Sequence, residues 1–314
     1  MKIGIVGPGA MGCLLAGKLA LAGNEVILLD HLQERIEILN RRGVSIETGS
    51  VIEKVRVPAA LDPQDLSSAE CILICVKAYD TRTVAETLRG LPKGPFFLTL
   101  QNGVGNVEAL GRFLPRSRIL GGITSHGATS LGVGRVRHAG KGDTFIGYGF
   151  PRRGKDPDQD PFLRRLRETL GRAGFPTQTV TAIRNLIWSK LLINVGINAL
   201  TALTGLRNGK LLDFPGTRRL LLAAVEEGHK VGLKKKIAFV YADPAAQVEK
   251  VCRLTAANVS SMLQDVLKKK RTEIAFINGV IMREGRRLKL PVPVNTVLTQ
   301  LVQTLEASYA ESLR

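Results

Sequence analysis

Short strand-like runs punctuated by glycine and polar residues fill the first 180 positions, and long segments of helical periodicity fill the rest. Lys2–Val6 reads as a first strand, followed by Gly7-Pro8-Gly9-Ala10-Met11-Gly12, a helical stretch from Cys13 to Ala22 and a second strand from Glu25 to Asp30. Further strand-like runs are Val55–Val57, Cys71–Val76, Phe96–Leu100 and Ile119–Thr124, with helical patterns at Thr81–Arg89 and Val107–Arg112 between several of them. This alternation predicts a doubly wound, mostly parallel sheet. Gly127–Gly149 is glycine-rich and strand-prone, Pro151–Pro161 reads as a surface loop, and Phe162–Val180 adds one more helix–strand unit.

From about Thr181 the texture changes. Helical patterns cover 182–204, 216–232, 243–269, 272–288 and 295–312, with Asp243-Pro244 and Asn295-Thr296 as helix starts. The expectation is an α/β Rossmann domain over residues 1–180 and an all-helical domain over 181–314.

One helical pattern is chemically odd. Lys190, Asn194 and Asn198 stand at i, i+4 and i+8 among Leu186, Ile187, Trp188, Leu191, Leu192, Ile193, Val195, Ile197 and Leu200. At about 100° per residue the three share one face of roughly 80°. A cation and two amides in an apolar helix are costly unless they meet a ligand or one another. The alternative is a solvated stripe on an ordinary amphipathic helix.

Gly7-x-Gly9-x-x-Gly12 follows a strand and opens a helix, which is the context of a dinucleotide-binding turn. Asp30 ends the second strand, where a carboxylate accepts from the adenosine ribose hydroxyls, repels a 2′-phosphate and so favours NAD(H). His31, Arg35, Arg41 and Arg42 follow it and either hold a phosphate or form a solvated helix face. Lys77 and Asn102 come at the ends of apolar strands, the side of an open α/β sheet that borders ligands, although either also suits a helix start or turn. In the second half, Asn258, Ser261 and Glu273 form a further polar set that is equally readable as helix surface, and Asn208 reads first as a turn residue.

Composition narrows the classes. Hydrophobic residues make up 44% and charged residues 23%, which is ordinary for a globular protein. Lys190 interrupts the best apolar run, so no membrane span is expected, and glycine comes too early for a signal peptide, which points to the cytoplasm. Cys13, Cys71, Cys75 and Cys252 are too scattered for a disulfide framework, and the isolated histidines predict no metal site. The net charge of +18 fits polyanions, but it equally draws in small anions. With aromatics at 5% and no nucleic-acid-binding signature, nucleic acid is the weaker reading.

These motifs together resemble the ketopantoate reductase (2-dehydropantoate 2-reductase) family, from Met1 to about Tyr309. The carrying elements are the glycine turn, Val76-Lys77-Ala-Tyr-Asp-Thr, Gln101-Asn102-Gly, Lys190-Leu-x-x-Asn194-x-x-x-Asn198-x-Leu-Thr-Ala, Asn208-Gly-Lys, Ser260-Ser261-Met-Leu-Gln-Asp, Thr-Glu273-Ile-x-x-Ile-Asn-Gly and Pro291-x-Pro-x-Asn295-Thr. The resemblance implies a 6-phosphogluconate dehydrogenase-like pairing of Rossmann and helical domains around a cleft. It implies NAD(P)H-dependent reduction of 2-dehydropantoate to (R)-pantoate, on the route to pantothenate and coenzyme A. Lys190 would then be the general acid and Glu273 its neighbour near the cofactor ribose. Asn194, Asn198 and Asn208 would bind the hydroxyl end of the substrate, and Ser261 with Asn258 its carboxylate. Asn102 and Ala128 would lie beside the nicotinamide half, Asn102 also within reach of substrate, and Lys77 would contact the cofactor.

Family habit implies NADP(H), whereas the Asp30-His31 pair leans to NAD(H). The nearest alternative is an NAD-dependent D-2-hydroxyacid dehydrogenase on the same scaffold. A more distant one is a non-catalytic nucleotide-sensing or nucleic-acid-binding protein. Monomer and homodimer both suit the architecture.

Overall fold

A computed structural model describes residues 1–91, 94–151 and 156–311. Its backbone divides into two compact units, residues 1–101 with 105–183, and residues 102–104 with 184–314.

In the first unit the chain forms β1 (Lys2–Val6), α1 (Ala10–Leu21), β2 (Glu25–Leu29), α2 (Gln33–Arg42), β3 (Val44–Thr48), β4 (Val51–Val55), β5 (Ala59–Ala60), β6 (Cys71–Ile74), α3 (Thr81–Leu88), β7 (Phe96–Thr99), α4 (Asn106–Leu110), β8 (Ile119–Thr124), β9 (Gly127–Gly132), β10 (Arg135–Gly140), β11 (Thr144–Tyr148), α5 (Pro161–Arg172) and β12 (Thr177–Thr179). The larger sheet runs β12-β11-β8-β7-β6-β1-β2-β5. Its strands pair in parallel except β8 with β11. β1 and β6 are almost wholly buried, as central strands covered on both faces must be. This is the doubly wound sheet expected of the strand–helix alternation.

A second sheet was not foreseen. β4-β3-β10-β9 forms a four-stranded mixed sheet against α1. Gly17 permits that approach, since a Cβ there would sit 2.7 Å from Ile46 Cδ1. The strand expected at Val55–Val57 is instead the end of β4, which stops at Val55. Of the loop expected at Pro151–Pro161, residues 152–155 lie outside the described residues.

The second unit holds α6 (Ile183–Thr204), α7 (Pro215–Lys234), α8 (Pro244–Leu254), α9 (Ser261–Leu267), α10 (Asn278–Leu288) and α11 (Pro293–Ala307). Two expected helices break. The 243–269 pattern divides at 255–260, because the Ser260 hydroxyl accepts from Leu263 N and starts a new helix. The 272–288 pattern is a short 3-10 turn at Ile274–Phe276 followed by α10.

α6 is the core of this unit, burying Trp188, Leu191, Leu192, Val195, Ile197 and Leu200. Gly196 lies on the far side of α6 from Asn194 and Asn198, about 160° round. A Cβ there would sit 2.9 Å from both Val225 of α7 and Val248 of α8, so glycine allows the close packing. Contrary to expectation, α6 is long and apolar enough to cross a membrane by length and composition. Its apolar window is 67% buried within the protein, as a core helix requires.

Candidate functional site

The first unit presents an open glycine turn at the start of α1. Gly7 has φ +94°, and a Cβ on it would meet Val76 N at 2.8 Å, so only glycine serves where β1 turns past the Val76–Lys77 segment. A Cβ on Gly12 would lie 2.1 Å from the Gly7 carbonyl oxygen, which closes the turn against the helix. Gly9 differs, because its added Cβ would meet nothing within 4 Å. Gly9 brings no side-chain cap to α1, whose first-turn N–H groups lie at the positive end of the helix dipole. Pro8 is buried behind this turn, whereas Ala10 and Met11 are partly buried on it. A cradle of this shape fits the pyrophosphate of a dinucleotide.

Asp30 lies beside that cradle, since Gly7 N donates to the carbonyl of Leu29 at 3.0 Å. Its side chain is only 3% exposed. Arg35 pairs with it through Nε at 2.8 Å from Oδ2 and Nη2 at 3.1 Å from Oδ1, and His31 N donates to Oδ1 at 2.7 Å. Lys77, partly buried, precedes a 3-10 turn at Ala78–Asp80. The segment on either side of it is held by Gln101, to which the motif gave no role. Gln101 Nε2 donates to the Val76 carbonyl at 2.7 Å and to Thr81 Oγ1 at 2.8 Å, and the Thr81 hydroxyl donates to buried Asn106 at 3.0 Å. Ala128 lies in β9 of the smaller sheet, opposite His138, and packs on the core of this unit.

The second unit gathers the polar residues expected there. Lys190 is partly buried and Glu273 is 6% exposed. Burial lowers the Lys190 ammonium from the ordinary lysine range to about 8, and the charge of Glu273 opposes that fall. Glu273 stands at the head of the 3-10 turn Ile274–Phe276. The carbonyl of Phe276 accepts from Val104 N at 3.1 Å, and Gly103, with φ +82°, comes so close to Phe276 that a Cβ would lie 2.5 Å from that oxygen. Asn102 is thereby brought to the segment that carries Glu273.

Along α6, Asn194 is partly buried and Asn198 is 4% exposed. The amide nitrogen of Asn198 is buried with no hydrogen-bond partner. Thr201, one turn further, shares a 2.7 Å hydrogen bond with the Ser260 hydroxyl, which brings the end of α6 to the start of α9. Ser261, the first residue of α9, is exposed, as is Asn258. Asn208 N donates to the Asn258 carbonyl at 3.1 Å and Asn208 Nδ2 donates to Thr255 at 2.9 Å, while Asn208 Oδ1 is buried without a partner. Asn198 Nδ2 and Asn208 Oδ1 thus keep hydrogen-bonding capacity that water or a ligand can meet, as does Asn278 Oδ1 in the core.

Asn278 and Asn295 are fully buried, and Asn295 lies inside α11, which starts at Pro293 and not at the Asn295-Thr296 start expected. Asn278 Nδ2 donates to the Val195 carbonyl of α6 and to Asn295 Oδ1, each at 3.0 Å. Asn295 Nδ2 donates in turn to the Ala224 carbonyl at 3.0 Å and to Glu227 at 2.7 Å. This network pins α6 to α7, α10 and α11 one residue from Asn194. Among the described residues no group of three or more His, Cys, Asp and Glu side chains gathers to hold a metal.

A dinucleotide cradle on a doubly wound sheet, and a helical unit with an ammonium tuned toward neutrality, define a nicotinamide-dependent oxidoreductase of the Rossmann-plus-helical class. The family follows from comparison with known proteins. Residues 3–149 match the model described as "Ketopantoate reductase PanE/ApbA", and residues 182–306 match its C-terminal counterpart. The chain belongs to this family. It is 34% identical to a 2-dehydropantoate 2-reductase of Halobacterium salinarum over 96% of this chain and 98% of that one. The Archaeoglobus fulgidus enzyme of the same name is also 34% identical, over 98% of each.

Among solved structures, a PanE/ApbA family ketopantoate reductase from Ralstonia eutropha superposes with a TM-score of 0.88 at 33% identity, covering 98% of this chain and 99% of that one. A D-mandelate dehydrogenase solved with NADH and anilino(oxo)acetate gives 0.90 at 26% identity, with the same coverage.

Proposed function

We propose that this chain reduces 2-dehydropantoate to (R)-pantoate at the expense of a reduced nicotinamide dinucleotide, with Lys190 as the proton donor. The observation that carries the reading is full-length kinship to 2-dehydropantoate 2-reductases. Lys190 and the unsatisfied amide of Asn198 on one helical face support the roles assigned within it.

The glycine cradle from Gly7 to Gly12 would hold the pyrophosphate of a reduced nicotinamide dinucleotide, which would supply the hydride for the ketone carbon. Lys77 and Asn102 support the cofactor from strand ends. The chain's own residues handle the charge that then appears on the ketone oxygen. The Lys190 ammonium stabilises the developing alkoxide and gives it a proton. Glu273 keeps that lysine protonated despite burial. Asn194, Asn198 and Asn208 offer neutral donors and acceptors to the hydroxyl end of the substrate, and Ser261 with Asn258 takes the carboxylate at the start of α9. An ammonium with a value near 8 is charged at neutral pH yet gives up its proton with little penalty.

The D-mandelate dehydrogenase likeness keeps a D-2-hydroxyacid dehydrogenase as a second reading, but its 26% identity stands below the 34% of the reductases. Replacing Lys190 with alanine tests the proposal. The expected loss in kcat is about 10²–10⁴, the range for a missing general acid, and near-normal turnover would remove Lys190 from that role.

A further inference from the structure

The family resemblance points to NADP(H), yet the residues around Asp30 are arranged against a 2′-phosphate. Asp30 holds the ribose-recognition position at the end of β2, hydrogen-bonded through the chain to the glycine turn. Four cationic or titratable side chains follow it that could reverse its preference, and the structure accounts for each. His31 is exposed, with its side chain 82% accessible, and its Nδ1 lies 3.2 Å from Asp30 Oδ1, so the ring is drawn to the carboxylate. Arg35 is turned back onto Asp30 by two contacts, so its charge is spent on the carboxylate. Arg41 and Arg42 occupy the last turn of α2, about 9 Å further along the helix than Arg35.

What remains is acidic. Between residues 30 and 37 the chain carries Asp30, Glu34 and Glu37 against the one guanidinium of Arg35. Glu34 also occupies the first turn of α2, where the helix dipole would otherwise favour a phosphate.

We propose that Asp30 selects NADH over NADPH in this chain, and that Arg35 is a positioning residue for the Asp30 carboxylate and not a phosphate ligand. The inference rests on the dinucleotide-binding reading of the glycine turn. The physical account is differential. The carboxylate accepts from the 2′- and 3′-hydroxyls of an unmodified adenosine ribose, whereas a 2′-phosphate puts a second anion beside it with no unpaired cation within the first turn of α2. Removing either partner of the pair moves selectivity in opposite directions. Without Asp30, Arg35 becomes an unpaired cation beside the ribose position. Without Arg35, the carboxylate loses its neutralising partner and repels phosphate more strongly.

The test is equilibrium binding of NADH and NADPH by calorimetry or nicotinamide fluorescence, with no keto acid present, on the wild type, Asp30→Asn and Arg35→Ala. The wild type is expected to bind NADH at least tenfold more tightly. Asp30→Asn should narrow or invert the ratio by tightening NADPH. Arg35→Ala should weaken NADH modestly and leave NADPH no less disfavoured than before. Tighter NADPH binding by the wild type overturns the inference, and so does a selective loss of NADPH affinity in Arg35→Ala, the signature of a phosphate ligand. Should Asp30→Asn fold poorly, the wild-type ratio and Arg35→Ala still decide the matter. If neither dinucleotide binds the wild type, the dinucleotide reading itself falls, an outcome distinct from a reversed preference.

Discussion

The Glu273–Lys190 relation yields the sharpest consequence. Lys190 titrates near 8 because burial pulls it down while Glu273 pulls it up. Reduction requires the ammonium, so kcat/KM for the keto acid should be flat at lower pH and fall as pH rises through about 8. Glu273→Gln keeps the shape and the burial but deletes the opposing charge. A nearby opposite charge shifts a titrating group by about one to three units, so a drop of about two units is the working figure. At pH 7.5 the charged fraction of Lys190 then falls from about three-quarters to about 3%, a loss of roughly 25-fold in kcat/KM.

The assay is the kcat/KM profile of both proteins from pH 5 to 9.5 at saturating dinucleotide. The variant should recover most of its activity below about pH 6, where the lysine recharges. A uniform loss at every pH, with the falling limb still near 8, would refute the reasoning and make Glu273 a contact instead of a charge partner.

Three further outcomes follow from local geometry. Gly9→Val projects into open space from an extended backbone, so folding stability should change by no more than about 0.5 kcal/mol while dinucleotide binding weakens roughly tenfold or more, read by denaturation and calorimetry. Asn278→Ala should lose about 1–3 kcal/mol in urea unfolding, because it strands Asn295 Oδ1, whereas Asn198→Ala should lose under about 1 kcal/mol yet raise KM for the keto acid about tenfold. His126 and His138, 2.9 Å apart, are both held below the ordinary histidine value, first by burial and then by cationic neighbours. Stability should therefore be full above about pH 6.5 and decline as pH falls, because the unfolded chain takes up protons that the native pair refuses. Urea midpoints at pH 7.5 and 5.5 should separate in the wild type and separate less in His138→Gln, where only buried His126 remains.

What was readable in the sequence depended on how local the signal is. Gly7, Gly9 and Gly12 sit at a fixed spacing between a strand and a helix, and that local pattern made the turn legible, although the contact that demands glycine at position 7 comes from Val76, far along the chain. The Lys190, Asn194 and Asn198 stripe was legible because a helical period exposes polar residues in an apolar run. The smaller sheet was not, since β3 finds β10 across some ninety residues and its central pairing of Ile46 with Val136 leaves no trace in either segment alone.

The break before α9 was hidden for another reason. Thr255–Ser260 keeps an acceptable helical pattern, but its carbonyls at Ala256 and Asn258 accept from Gly209 N and Asn208 N, and the Ser260 hydroxyl, shared between Leu263 N and Thr201, starts a new helix. Gln101, Asn278 and Asn295 stand in the motifs, but their structural roles were not legible because they work largely through backbone carbonyls, which carry no residue identity.

The central claim is that the helical unit is built for 2-dehydropantoate. Its most direct test is the kcat/KM of the wild-type protein for 2-dehydropantoate against 2-ketoisocaproate and phenylglyoxylate, followed by oxidation of the reduced nicotinamide. A site whose buried amides expect a substrate hydroxyl should favour 2-dehydropantoate by about a hundredfold or more over keto acids that lack it. Equal rates, or a preference for phenylglyoxylate, would contradict the account and assign the scaffold to D-2-hydroxyacid chemistry.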